Sequence, residues 1–296
     1  MKIITLVENN SADSRLKEEF GLSILIQCDS GTILFDMGAS AQFAKNAVIL
    51  GVDLTKVDCG VVSHAHYDHG GGLQTFLQLN TAAMVYVGKN FDGQYFSSAR
   101  IPYFLEPLLY PMVARKTAFS KYIGIDRAVF THHSDRLITI EDTQEILQNV
   151  FLLTNINVFH PRADGNKYLL EKDAEGLRCD SFSHELIMVI READGLVLFT
   201  GCGHNGILNM LATVQKNFKN VPIKAVIGGF HLAQRPGRPG IAGKREDIAF
   251  IAHELLRYGV EKVVTGHCTG RDAGMILHEE MGEKLTIFST GYSCNL

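Results

Sequence analysis

Short apolar runs separated by turn-forming residues fill the first third of the chain. Leu22–Cys28 and Thr32–Phe35 are two such runs joined by a three-residue turn signal, which predicts a β-hairpin. Apolar residues recur at helical spacing over Ala39–Leu50, so this segment predicts a helix. Val57–Ser63 is the next apolar run. A strand, a helix and a strand in this order place functional residues at the strand ends.

The C-terminal third repeats this pattern three times. Each apolar run ends in glycine and then a histidine within a few residues, and segments with helical spacing lie between the runs. The runs and their histidines are Gly195–Thr200 with His204, Ile223–Ile227 with His231, and Val263–Thr265 with His267. Glycine allows a sharp turn and close approach of a ligand, while the strand holds the histidine in place.

A cluster of histidines follows the Val57–Ser63 run. His64, His66, Asp68 and His69 occupy six positions directly before a run of three glycines. In an extended chain His64 and His66 project from the same side, and we expect Asp68 and His69 to lie in the following turn. Neutral imidazole and carboxylate together suit zinc, iron or manganese. A purely structural role would bury many unpaired polar groups, so the pattern favours a metal site.

Composition narrows the class of protein. The 296 residues are 46% hydrophobic and 20% charged, with a net charge of −4, which describes an ordinary globular protein without the basic footprint of a nucleic-acid binder. No apolar stretch is long enough to span a bilayer, and Met1–Glu8 reads as a strand, not as a signal peptide. Six cysteines without framework spacing favour a reducing, cytoplasmic location. The oligomeric state stays open.

The middle of the chain is less regular. Strands are expected near Ala83–Val87, Arg136–Ile140 and Val150–Thr154. Between the first two lies a polar and aromatic stretch that is either a solvated insertion or a lid closing over an anionic or aromatic substrate. Its residues are Tyr95, Arg100, Tyr103, Tyr110, Arg115, Lys116, Lys121, Tyr122, Arg127, His132 and His133.

The cluster His64-x-His66-x-Asp68-His69 resembles the signature of the metallo-β-lactamase fold superfamily. Phe35-Asp36-Met37-Gly38 resembles the structural aspartate turn of the same superfamily. Four segments together resemble a subgroup of metal-dependent hydrolases, some of which are dihydropterin-ribofuranosylaminobenzene-phosphate synthases: Ser63–Leu73, Thr200–His204, Gly228–Leu232 and Gly266–Gly270.

This resemblance implies an α+β fold, a four-layer αββα sandwich with the metals at one edge. Residues 1–296 would form a single domain, with an inserted subdomain or lid at about 90–135. The implied cofactors are two divalent metal ions, with zinc as the first choice and manganese or iron as alternatives.

The ligand set can be assigned in part. His64, His66 and His204 would hold one ion, and Asp68, His69 and His267 the other. The superfamily's bridging acid is replaced by Cys202, which either ligates as a thiolate or is a small buried residue beside the ligand His204; we favour His204. The subgroup more often has an acid at the position of His184, so the role of that histidine stays open.

A phosphorylated small molecule is the favoured substrate. Arg235, Arg238 and Lys244 lie in a Gly/Pro loop after His231, and this loop is either a phosphate-binding loop or a solvated basic turn. His231 would be a ligand or a donor to substrate, and Asp68 could also relay a proton. The reaction would be phosphoester hydrolysis, or transfer of a pterin-methyl group with loss of diphosphate.

Two other functions remain open. A lactone or thioester hydrolase would use the same metals with an apolar pocket. A non-catalytic metal-binding or redox-sensing module is an alternative of another class, although no flavin or iron–sulfur cysteine pattern supports electron transfer.

Overall fold

The computed structural model describes residues 1–98, 117–234 and 239–296. Its strands are β1 (Lys2–Val7), β2 (Ser23–Cys28), β3 (Gly31–Phe35), β4 (Cys59–Val62), β5 (Met84–Gly88), β6 (Tyr95–Ser97), β7 (Lys121–Tyr122), β8 (Leu137–Ile140), β9 (Gln144–Leu147), β10 (Val150–Leu153), β11 (Leu169–Lys172), β12 (Leu177–Cys179), β13 (Ile187–Glu192), β14 (Gly195–Thr200), β15 (Ile223–Gly228), β16 (Lys262–Thr265), β17 (Leu285–Ile287) and β18 (Ser293–Asn295).

The α-helices of the described ranges are α1 (Gln42–Ile49), α2 (Tyr67–Gly70), α3 (Leu73–Leu79), α4 (Arg127–His132), α5 (Ile207–Asn217), α6 (Arg245–Arg257) and α7 (Arg271–Met281). Short 3₁₀ turns occur at Leu54–Lys56, Thr117–Phe119, Ser134–Arg136, Asp164–Tyr168, His267–Thr269 and Gly282–Lys284. Among the residues described, no helix is both long and apolar enough to cross a membrane.

Two seven-stranded mixed sheets form the centre of the fold. The first has the order β18-β1-β2-β3-β4-β5-β8, and its strands are parallel from β3 to β8. The second has the order β17-β16-β15-β14-β13-β10-β9, and its strands are parallel from β14 to β17. The predicted hairpin is β2 and β3, paired antiparallel across Gly31.

Alternation along β14 explains why the sheets stack. Val197 and Phe199 point into the hydrophobic cluster that joins the two sheets. There the ring centroid of Phe199 lies 6.0 Å from that of Phe35 in the first sheet. Leu196 and Leu198 point the other way, into the cluster that includes α5, α6 and α7. Such a strand is buried on both faces and therefore reads as a continuous apolar run.

The outer face of the first sheet is covered in the same manner. Phe43 of α1 and Phe76 of α3 pack in a cluster with Leu34 and Val85 of the sheet. Helices thus cover both sheets on the outside, and the layers follow the predicted order αββα. The helix expected over Ala39–Leu50 is α1, and Gly51 ends it in a left-handed conformation (φ 72°).

A third sheet of four short strands, in the order β12-β11-β6-β7, lies outside the sandwich. It joins part of the polar middle stretch (β6 and β7) to a later segment (β11 and β12). Arg100, Tyr103, Tyr110, Arg115 and Lys116 of that stretch lie outside the described residues. The single domain with an insertion at about 90–135 stays a prediction.

Candidate metal centre

The parallel strands of both sheets end at the same edge of the sandwich. β4 leads into His64, β14 into Cys202, β15 into His231 and β16 into His267. Asp68 and His69 lie in the short helix α2, where the sequence predicted a turn. Helical backbone directs these two side chains toward the sheet edge, and every one of these side chains is buried.

His64, His66 and His204 form a first cluster. Their ligand atoms lie within 4.8 Å of one another, and their Nε2 atoms are buried without a hydrogen-bond partner. The Nδ2 of Asn166 donates to the carbonyl of His204 (2.7 Å), so its Oδ1 accepts the Nδ1–H of that histidine (3.0 Å). His204 therefore presents a lone pair on Nε2.

His64 has the same tautomer for a similar reason. The hydroxyl of Ser63 donates to Asp36 (2.8 Å) and accepts from Nδ1 of His64 (2.9 Å). Burial, followed by the neighbouring histidines, holds the pKa of His64 and His204 well below the ordinary value. Burial also lowers the pKa of His66. Neutral imidazoles with inward lone pairs are the form that binds a metal ion.

Asp68, His69, Cys202 and His267 form a second cluster, with ligand atoms within 4.8 Å of one another. Nε2 of His69 lies 3.1 Å from Nε2 of His267 and 3.2 Å from Sγ of Cys202. Oδ2 of Asp68 lies 3.3 Å from Nε2 of His267 and 3.7 Å from Nε2 of His69. Ligands of a tetrahedral ion with ordinary zinc bond lengths are separated by about 3.3–3.8 Å. The four distances in the second cluster, from 3.1 to 3.7 Å, are close to these dimensions, with two of them slightly shorter.

Asp36 orients His69 from behind. Its Oδ2 accepts the Nδ1–H of His69 (2.6 Å), and its Oδ1 accepts the amide of Ser63 (2.7 Å). Asp36 itself has a left-handed backbone (φ 59°) and is fully buried. Carboxylate partners of this kind fix the tautomer of a metal-binding histidine. The predicted aspartate turn therefore lies directly behind the second cluster.

The acidic and histidine side chains in and behind the second cluster shift one another's pKa values. Burial opposes protonation of His69, but the carboxylates of Asp36 and Asp68 outweigh it and raise its pKa to about 9. Burial would raise the pKa of Asp68, but His69 and His267 lower it below its usual range. A cation entering this cluster would displace the proton from His69.

Cys202 lies between the two clusters. Its Sγ belongs to the second cluster and also to a group with His204 and His231, again within 4.8 Å. Burial raises the pKa of its thiol, so a thiolate at this position needs a cation beside it. His231 has a left-handed backbone (φ 51°) and a buried Nδ1 without a partner, and its ring centroid lies 4.3 Å from that of His204.

His184 is the histidine whose role the sequence left open. Its ligand atom groups with those of His66 and Asp180 within 4.8 Å. However, its Nδ1 accepts the amide of Ala65 (3.1 Å), so its Nε2 carries the proton and donates to Asp180 (3.1 Å). Both ring nitrogens are engaged, and the geometry makes His184 a support of the loop that carries His66.

Several partners of the clusters were missed by sequence reasoning. Glu185 accepts the amide of His204 (2.8 Å), and Glu8 accepts the amide of His267 (2.6 Å). Asn9, Asn166 and Asp180 contact histidine side chains. Glu8 could have been found from the sequence, because it is an acid directly after the apolar strand β1. Single asparagines such as Asn9 and Asn166 have no comparable sequence pattern.

A cavity of about 690 Å³, called here the site cavity, opens above both clusters. His66, Asp68, Cys202, His204 and His231 line its floor. Its wall adds the aromatic side chains of Phe20, Tyr67, Phe119 and Tyr168 and the cation of Lys121. This size and mixture suit a small molecule with an aromatic part and an anionic part.

Of the three cations of the predicted basic loop, Lys244 lies among the described residues. Arg235 and Arg238 lie outside the described residues. Lys244 is exposed directly before α6, where its backbone amide donates to Oδ2 of Asp247 (3.0 Å). It is not among the described residues that line the site cavity. Substrate binding by these three residues stays a prediction.

Comparison with known proteins places these features in a family. The model of the metallo-beta-lactamase superfamily matches residues 16–93. The crystal structure of a metal-dependent hydrolase of the beta-lactamase superfamily is 30% identical, with a TM-score of 0.79, over 100% of this chain and 99% of that one.

Two other relatives extend the comparison. The 7,8-dihydropterin-6-methyl-4-(beta-D-ribofuranosyl)-aminobenzene-5'-phosphate synthase of Methanocaldococcus jannaschii is 28% identical over 96% of this chain and 92% of its own length. Zn(2+)-bound PqqB from Methylobacterium extorquens is 11% identical with a TM-score of 0.58 over the full length of both chains, and this likeness concerns the fold alone.

Proposed function

The chain belongs to the metallo-β-lactamase superfamily, whose fold the sequence analysis predicted, and on that premise we propose that it is a metal-dependent enzyme acting on a phosphorylated small molecule. The observation that carries the proposal is the convergence of three buried Nε2 atoms, those of His64, His66 and His204, which have no hydrogen-bond partner. The Oδ2 of Asp180 lies 3.6 Å from Nε2 of His66, too far for a hydrogen bond. Buried polar atoms without partners are costly, and a cation removes that cost.

Two ions fit this donor set. The first cluster would hold one ion through three imidazoles, and the second cluster would hold another through Asp68, His69 and His267. Cys202 would complete the second site and lie close enough to the first to act at both, in the place of a bridging acid. Imidazole and thiolate donors favour zinc, while the carboxylate and imidazoles also accept manganese or iron.

Two bound ions would neutralise charge that develops on phosphate oxygens and lower the pKa of a bound water. The chain's own residues orient the substrate. Lys121 on the cavity wall would pair with a phosphate, and the unpartnered Nδ1 of His231 would contact a substrate oxygen beside the clusters. The aromatic side chains on the wall would enclose a flat ring and exclude water from it.

Transfer is the favoured reaction, because the Methanocaldococcus jannaschii relative, which is similar over nearly the whole chain, is a synthase whose named product joins a dihydropterin to a ribofuranosylaminobenzene phosphate. We extend this to a pterin-methyl diphosphate as substrate here. The bond from the methylene carbon to the diphosphate oxygen would break, so that diphosphate leaves. The amino nitrogen of the aminobenzene acceptor would form the new bond to that carbon and lose one proton.

A lactone or thioester hydrolase is less well supported. That function needs an apolar pocket, whereas the cation of Lys121 lies on the wall of the cavity above both clusters. A cation on this wall serves a phosphate and has no evident use for a neutral ester.

The test measures diphosphate release from a hydroxymethyl-dihydropterin diphosphate, with and without the aminobenzene acceptor, in protein loaded with zinc or manganese. Release is expected to require metal and to be lost in His66→Ala. His278→Ala, which changes an exposed histidine of α7, is the matched control and should keep the wild-type rate. Equal rates in wild type and His66→Ala would refute a metal-dependent mechanism, and release without acceptor would indicate hydrolysis.

A further inference from the structure

A second cavity adjoins the site cavity. It has a volume of about 730 Å³, and the residues around it include Tyr67, Gln94, Lys121, Tyr122 and Arg127. We call it the side cavity. Tyr67 and Lys121 line both cavities, so these two side chains form the wall between them. Tyr67 lies between His66 and Asp68 in the chain, which places this wall beside the metal centre.

The shared wall is held in place by backbone bonds. The amide of Tyr67 donates to the carbonyl of Ile123 (2.8 Å), directly after β7. In the third sheet Lys121 of β7 lies opposite Ser97 of the antiparallel neighbour β6, and Ser97 also lines the site cavity. The side cavity is therefore bordered by a strand that is tied to the metal-binding loop, and its position relative to the clusters is fixed.

Charge in the side cavity favours an anion. Lys121 and Arg127 supply two cations, and neither forms an ion pair with a carboxylate in the ranges that the structure describes. The nearby acid is Asp126, whose Oδ1 accepts the amide of Ala128 (2.9 Å) at the start of α4. The amide of Gln94 adds a neutral donor. Arginine and lysine together are a usual pair for a phosphate group.

Aromatic side chains provide the rest of the lining. The hydroxyl of Tyr122 donates to the carbonyl of Ile125 (2.8 Å), and its ring packs edge-on against Phe96 with centroids 5.4 Å apart. Nζ of Lys121 lies 5.6 Å from the ring centroid of Tyr67. Rings fixed in this way offer flat apolar surface next to the cations, which suits an aromatic group.

From these observations we infer that the side cavity binds a second ligand, one that carries both an aromatic ring and a phosphate. This inference rests on the proposed function in one respect, namely that the site cavity takes a diphosphate. Two ligands would then meet at Tyr67 and Lys121. Lys121 would contact both of them, and Arg127 only the ligand in the side cavity.

The experiment uses two probes that cannot be hydrolysed. Zinc-loaded protein is saturated with methylenediphosphonate to fill the site cavity, and phenylphosphonate is then titrated calorimetrically. We expect phenylphosphonate to bind in the presence of the first probe. Arg127→Gln should weaken its binding about tenfold and leave methylenediphosphonate binding unchanged, because one charge-assisted hydrogen bond is lost. Lys121→Gln should weaken both.

Lys219→Gln, an exposed lysine after α5, is the matched control and should change neither affinity. Displacement of phenylphosphonate by methylenediphosphonate, or equal phenylphosphonate affinity in wild type and Arg127→Gln, would overturn the inference. If methylenediphosphonate does not bind at all, the proposed function fails. Phenylphosphonate is then titrated alone, and the comparison of Arg127→Gln with Lys219→Gln still decides the inference.

Discussion

Sγ of Cys202 lies 3.2 Å from Nε2 of His69, although the two residues are 133 positions apart in the chain. The same sulfur lies within 4.8 Å of ligand atoms of His204 and His231. One thiol at the end of β14 thus belongs to the second cluster and lies near one member of the first, His204; the resemblance to the superfamily implies a bridging acid at this position. A thiolate here would supply negative charge between two cations, as a carboxylate would.

Cys202→Ser should therefore remove about one of two bound ions per chain, because a hydroxyl does not ionise to replace the thiolate. Ion content after dialysis is measured by elemental analysis, and the cobalt-loaded protein should lose its thiolate-to-metal absorption. Cys179→Ser, at an exposed cysteine, is the control and should keep both signals. Cys202→Asp should hold two ions without the thiolate absorption. Unchanged absorption in Cys202→Ser would rule out ligation by this sulfur.

Substitution of His184, which precedes β13, and of His204, which follows β14, should have different effects. His204→Ala removes one of three converging lone pairs, so the first ion should be lost while the fold is retained. His184→Ala removes the partner of the Ala65 amide and of the Asp180 carboxylate, both in a buried setting. It should cost about 2–4 kcal/mol of the free energy of unfolding.

Urea denaturation and ion content separate these two effects. For His184→Ala we expect a lower unfolding midpoint with the ion content unchanged at saturating metal. A stable His184→Ala protein that has lost one ion would instead make His184 a ligand.

Much of this candidate site could be predicted from the sequence, because the residues of the two clusters follow strands with clear apolar patterns. β14 has the predicted bounds, and the glycine-histidine endings at His231 and His267 are where the pattern placed them. Asp68 and His69 lie on a helical turn instead of an open turn, since four residues are too few to show helical periodicity.

The partners that orient the ligands could not be predicted, since they come from distant segments. Asn166 and Glu185 contact His204 from two different segments, and Glu8 and Asn9 contact His267 from the opposite end of the chain. Such contacts depend on how the sheets stack, and no local pattern of hydrophobic and polar residues records this.

Thiol reactivity offers an independent check of burial. Burial raises the pKa of Cys59 to about 12, so at pH 8 only about one molecule in ten thousand would carry a thiolate there. Cys179 is exposed. Native protein treated with iodoacetamide at pH 8 should be modified at Cys179 and not at Cys59, as read by peptide mass spectrometry. Denatured protein, in which all six cysteines react, is the control, and rapid native modification of Cys59 would contradict the packing of β4.

Asn9 sets the tautomer of His267, and this gives the last prediction. Its Nδ2 donates to the carbonyl of His267 (3.2 Å), so its Oδ1 accepts the Nδ1–H (3.0 Å) and Nε2 is left with a lone pair toward Asp68 and His69. His267 has a left-handed backbone (φ 52°), which costs free energy that these bonds offset.

Asn9→Leu should weaken the second ion's affinity about 10–100-fold, the usual cost of losing a partner behind a metal-binding histidine. Asn9→Asp keeps the acceptor oxygen and should restore most of that affinity, whereas a purely structural role would make the two variants equally defective. Zinc titration against a competing chelator measures both, and equal affinity in Asn9→Leu and wild type would show that His267 does not need this support.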